Sequence, residues 1–143
     1  MNPATLPLRD LASRLLAEEM DKGDGAMVSP GSRVCGKLGV SLTKLAGAAG
    51  FRSLLSRALS LAQEEMPWLN GVKVLDDGSF GGLREARVKA EESEAERGES
   101  ILVAQLIGLL IVFIGTPLTM QLLRQAWPHA SIRSEDPGEG PNP

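Results

Sequence analysis

Residues 101–123 read ILVAQLIGLLIVFIGTPLTMQLL and contain no charged side chain. An α-helix rises 1.5 Å per residue, so these 23 residues extend about 34 Å, against a bilayer hydrocarbon core of about 30 Å. The stretch is therefore long enough to span a membrane. Trp127 then stands where an interfacial aromatic anchors, and Arg124 can snorkel. The alternative reading is a soluble core helix. A helix that is apolar on all sides is also the natural centre of a bundle whose other helices each carry one apolar face. Gln105 and Gln121 inside the run, and the kink expected at Thr116-Pro117, favour that reading.

Within the run, Gly108 and Gly115 are seven residues apart and share a helical face. With Gln105, Val112 and Thr119 they form a small, mildly polar stripe. In lipid such a stripe is a helix-pairing surface, implying a homodimer or a membrane partner. Thirteen of the fifteen Lys and Arg precede Ile101. Arg84, Arg87, Lys89 and Arg97 flank the run on its N-terminal side, so a spanning helix would leave the N-terminal module in the cytoplasm. If the run is a core helix, the chain is a soluble cytoplasmic module.

Working back from Ile101, residues 84–97 (REARVKAEESEAER) are charged and rich in Ala and Glu. They read as a solvated helical connector, with Gly98 as an interruption or hinge before the apolar helix. Ser100 is expected to cap that helix, and Glu99 to suit its positive end. Residues 72–83 contain Val72 and Val74 alternating around Lys73, then Asp77-Gly78, a type I′ turn signal. A short β-hairpin is expected there, packed on a helix. Residues 51–66 carry an apolar stripe of Leu54, Leu55, Ala58, Leu59 and Ala62. Pro67 stops this helix, and Trp68-Leu69 folds back as a plug. Residues 34–49 form a weaker helix on Leu38, Leu42 and Leu45, with Gly36, Gly39 and Gly47 suggesting close backbone approach. Residues 5–20 form an amphipathic helix with Leu8, Leu11, Leu15 and Leu16 on one face. Residues 21–33 read as a loop rich in Gly, Pro, Asp and Ser.

The fold class is thus mainly α: a small helical bundle with a short hairpin and one long C-terminal hydrophobic helix. Its divisions are a helical module with hairpin at 1–83, the charged connector at 84–98, the hydrophobic helix at 99–128, and a disordered tail at 129–143. The first residues lack the pattern of a secretory signal.

Chemistry is sparse. The single histidine, His129, lies in the tail, which removes the usual base from a Ser-His-Asp or Cys-His arrangement. The lone Cys35 cannot close an intrachain disulfide or a metal cluster, and reads as a small buried side chain. Asp76-Asp77-Gly78 is turn chemistry rather than a calcium loop. Glu64-Glu65 and the acids at 91, 92, 94 and 96 read as solvated faces. The glycines form no phosphate-binding loop. No catalytic, cofactor or metal site is expected. With a net charge of −3, wholesale nucleic-acid binding has no support.

Residues 42–62, LTKLAGAAGFRSLLSRALSLA, resemble the helix-turn-helix of AraC-type regulators. Leu45-Ala46 match an apolar-Ala pair on the first helix, and Gly50-Phe51 the pair that opens the recognition helix. The resemblance implies that Arg52, Ser53 and Ser56 face a major groove and that Arg57 contacts phosphate. It covers some twenty residues and lacks the family's second motif and basic surroundings. The sequence is best read as a non-enzymatic interaction, adaptor or regulatory module anchored in the membrane by its C-terminal helix, with a fully soluble module as the alternative and DNA binding as the second alternative.

Overall fold

The structure, a computed structural model, describes residues 6–22 and 30–128. Five α-helices and one hairpin follow in order among them: α1 (Leu6–Lys22), α2 (Pro30–Glu65), a 3₁₀ turn (Pro67–Gly71), β1 (Lys73–Val74), β2 (Phe80–Gly81), α3 (Leu83–Lys89), α4 (Glu92–Ile114) and α5 (Thr116–Ala126). The chain is mainly α, with the expected hairpin. Of the loop expected at 21–33, residues 21–22 end α1 and residues 30–33 open α2; residues 23–29 and 129–143 lie outside the described residues.

The centre of the bundle is α4, which packs against α1, α2 and α5. Every residue from Ile101 to Gly108 is buried, and so is Leu110. Ile101, Leu102, Val103, Leu106, Ile107 and Leu110 are each no more than 1% exposed. At about 2 kcal/mol for each such side chain removed from water, the six contribute roughly 12 kcal/mol, comparable to the whole net stability of a domain. Leu8, Leu15 and Leu16 of α1 cover one side, as their spacing predicts. Leu38, Leu42, Leu55 and Leu59 of α2 cover another.

Two breaks divide what would otherwise be long helices, and both need glycine. In α2, Gly47 has φ 80 and ψ 165. Gly115, between α4 and α5, has φ 89 and ψ 159. This backbone region is essentially closed to residues bearing a Cβ. The break in α2 is a fold-back. In a straight helix Gly39 and Phe51 would be about 18 Å apart, yet the Phe51 ring lies 2.7 Å from where a Gly39 Cβ would sit. Residues 30–46 and 48–65 are therefore two arms packed on each other. The boundary expected at Gly50 falls three residues earlier.

The continuous hydrophobic helix expected over 99–128 is two helices. Gly115 breaks it, and Pro117 sits in the first turn of α5, where its missing N–H costs nothing. The N-terminal boundary also moves. The charged connector splits at Ala90, which is extended, and residues 92–98 join α4. Gly98 is not a hinge. The Trp68 ring occupies the space of a Gly98 Cβ, with Cζ2 at 2.5 Å, and its indole N–H donates to the Glu94 carbonyl at 3.0 Å. The expected plug thus exists, with a helix glycine as its seat and Leu69 fully buried beneath.

The hairpin pairs Lys73 with Gly81 and Val74 with Phe80. Its turn differs from a type I′. Gly78 alone has positive φ, its N–H donates to the Leu75 carbonyl, and Leu75 N–H donates to Ser79 O. This is a three-residue loop closed by a left-handed glycine.

Candidate interaction surface

Three polar features organise the bundle, and the sequence announces none of them. Glu99, only 2% exposed, lies inside α4 rather than at its start. One carboxylate oxygen accepts the Gly31 N–H at 2.8 Å. The other accepts from Arg87 Nη1 at 3.2 Å. The N-terminus of α2 is therefore capped by a residue 68 positions away, which places a negative charge at the positive end of the helix. Gly31 is the only fit at this site, because a Cβ would lie 2.9 Å from the Glu99 oxygen.

Glu19, 3% exposed, forms the second post. Its carboxylate accepts the Trp127 indole N–H at 2.8 Å and pairs with Lys37 Nζ at 2.8 Å. The Lys37 ammonium also stands 5.4 Å from the centroid of the Trp127 ring. Trp127, expected at a lipid interface, is 1% exposed and sits in the core. At the third feature, Gln63 Nε2 donates to the carbonyls of Leu69 and Val72, fixing the 3₁₀ turn and the hairpin stem to α2.

These posts hold the two arms of α2 and the hairpin around a half-open groove of about 650 Å³. Gly36, Val40 and Lys44 line one wall, Phe51 and Arg52 the floor, and the turn from Asp76 to Phe80 the far wall. Residues 36, 40 and 44 are four apart and share one helical face. Val40 is 64% exposed. Arg52 Nη1 donates to the Asp76 carbonyl at 3.1 Å, locking the hairpin turn to α2. The Asp77 carboxyl is held below its ordinary range by the Ser79 hydroxyl at 2.6 Å and, secondarily, by the Ser79 N–H. Neither Lys44 nor the Asp76 carboxylate has a partner among the described residues.

Gly36 is the unusual member. A glycine within a helix costs about 1 kcal/mol relative to Ala. At Gly31 and Gly39 a neighbour explains the cost. At Gly36 no atom of the described residues lies within 4 Å of where a Cβ would be, so no described neighbour requires it.

The sequence-derived site residues scatter. Gln105, Gly108 and Thr119 are buried in the protein's own bundle. Val112 is 75% exposed, and Gly115 is the break between α4 and α5, which puts Thr119 on a different helix from the other stripe residues. Thr119 donates its hydroxyl to the Gly115 carbonyl at 2.8 Å. On α2, Ser53, Ser56 and Arg57 are exposed, while Arg52 is committed to the hairpin beside Asp76 and Asp77. Those two carboxylates would repel a phosphate approaching Arg52.

Chemically, the buried thiol is inert. Burial, with a smaller contribution from the Glu99 charge, pushes Cys35 up to about 12. No three His, Cys, Asp or Glu side chains come together as a metal-ligand set among the described residues. A second, half-open recess of about 160 Å³ lies beside Glu99 and Arg87. His129 lies outside the described residues. Among the described residues one helix, Glu92–Ile114, is long and apolar enough to cross a membrane. Comparison with known protein families, curated proteins and solved structures finds no match for this chain.

Proposed function

We propose that this chain is a non-enzymatic helical interaction module, with α4 as its internal core helix and the α2–hairpin groove as its contact surface. The observation that carries the proposal is the burial of Ile101 to Gly108 by α1, α2 and α5. The burial of Trp127 against Glu19 and Lys37 supports it, because a membrane anchor would point that ring outward. For α4 to enter a bilayer, it would have to leave α1 and α2, exposing their leucines and stranding Glu99 without its cap and its arginine. An interaction role rests on the groove, which combines an exposed valine, an aromatic floor and charges of both signs.

The competing reading, a single-pass anchor with a cytoplasmic N-terminal module, draws on the length and apolar character of α4 and on exposed Val112 and Phe113 near its end. Carbonate washing of membranes from expressing cells separates the two. The module reading expects the chain in the supernatant. Retention in the pellet with integral proteins would overturn it.

A further inference from the structure

We infer that the α2–hairpin groove is filled by the same groove face of a second copy of this chain, giving a two-fold dimer. The inference rests on the interaction-module reading and names the partner.

Three observations favour a second copy. The groove is half open, so a small molecule within it would keep much of its surface in water, unlike ligands in enclosed pockets. A macromolecular surface suits it better. Gly36, with no described neighbour at its Cβ position, lets another backbone approach α2 closely at the point where Val40, one turn later, projects into solvent. A helix presenting Val40 to a groove that offers Gly36 is what a second α2 arm supplies. Last, Lys44 on one wall and the Asp76 carboxylate on the other have no partner among the described residues. With Arg52 and Asp77 the groove holds two charges of each sign, and a surface so balanced can complement itself under a two-fold rotation. In that arrangement Lys44 of each copy meets Asp76 of the other. A strongly acidic or basic partner would satisfy one of these residues and repel the other.

The test uses the full chain in detergent-free buffer, with mass measured by light scattering after size exclusion and by sedimentation equilibrium. The expected result is a dimer at about 100 µM. Val40→Glu, Lys44→Glu and Asp76→Lys should each weaken dimerisation by about tenfold or more, since each change occurs twice per interface. All three positions are exposed, so circular dichroism and melting should show an unchanged fold. The double exchange Lys44→Glu with Asp76→Lys restores opposite charges across the axis and should recover most of the affinity. A chain that is soluble and monomeric at about 100 µM overturns the dimer and leaves the module reading standing. A dimer indifferent to all three substitutions places the contact elsewhere and equally overturns the inference. A chain insoluble without detergent defeats the module reading, and this inference with it.

Discussion

Glu99 is the position where one substitution tests the arrangement of three helices. Its carboxylate, 2% exposed, holds the Gly31 N–H at the start of α2 and the Arg87 guanidinium of α3, while its backbone belongs to α4. Glu99→Ala removes a charge-assisted hydrogen bond worth about 1.5–3 kcal/mol and leaves a helix N-terminus uncapped in the interior. It also strands Arg87. Removing one partner of a buried ion pair costs about 3–5 kcal/mol, but the Arg87 side chain is 23% exposed and recovers part of its hydration. We therefore expect a loss of about 3 kcal/mol for Ala. For Glu99→Gln, which keeps an acceptor and loses the charge, we expect about 1–2 kcal/mol. With a urea m-value of about 1.5 kcal/mol/M, the Ala variant should unfold at about 2 M lower urea with its slope unchanged. Combining Glu99→Ala with Arg87→Met should cost less than the sum of the single changes, because the second removes the charge that the first strands. If both Glu99 variants unfold within about 0.5 kcal/mol of the parent, the carboxylate does not cap α2, and the packing of α4 into the bundle loses its polar anchor point.

Other substitutions report on the breaks and close contacts. Gly98→Leu should cost about 2 kcal/mol and shift tryptophan emission to the red as Trp68 is displaced, since the ring already fills the Cβ position. A gain in stability for Gly98→Ala, normal at an open helix glycine, would show that the ring sits elsewhere. Gly47→Ala should lose about 1–3 kcal/mol through backbone strain alone, with no atom of the described residues to clash. Gly36→Ala should gain about 0.5–1 kcal/mol in the monomer's stability; equal effects at the two glycines in thermal melts would refute the fold-back at Gly47. For Cys35, burial raises the folded value from 9.0 to about 12, so the unfolded chain loses its thiol proton first. Stability should therefore decline as pH rises from 9 towards 12, by up to about 1.4 kcal/mol per pH unit from this group. Cys35→Ala should lack that component in urea melts at pH 8 and pH 10, and an identical pH slope in both proteins would contradict it.

Much of the architecture is legible in the sequence because it depends on the spacing of leucines. Leu8, Leu15 and Leu16, and likewise Leu38, Leu42, Leu55 and Leu59, are buried as their helical period demands. The hairpin follows from Asp77-Gly78 between extended residues, although its loop is one residue longer than the dipeptide suggests. The central place of α4 follows from apolar residues on every face, but the same property describes a membrane span, and composition cannot choose between water-excluding protein and lipid.

What the sequence hides is long-range and polar. Glu19 and Glu99 look like two more surface acids among eighteen, because their partners lie far away in the chain: Trp127 is 108 positions from Glu19, and Gly31 is 68 from Glu99. Gly98 reads as a hinge until Trp68 is placed over it. Ala90 ends α3 without a Gly or Pro to mark it. The groove is equally invisible, since Gly47 brings together α2 segments that a continuous helix would hold apart. The open space beside Gly36 is a property of that fold-back.

The central claim is that α4 is shielded from water by its own chain. Amide hydrogen exchange on the full-length protein in detergent-free buffer tests it most directly. The account predicts a dispersed, folded protein in which the amides of residues 101–110 exchange only through global unfolding and are the slowest of all. Recovery of the protein only in detergent, or exchange at 101–110 faster than in α1 and α2, would contradict it.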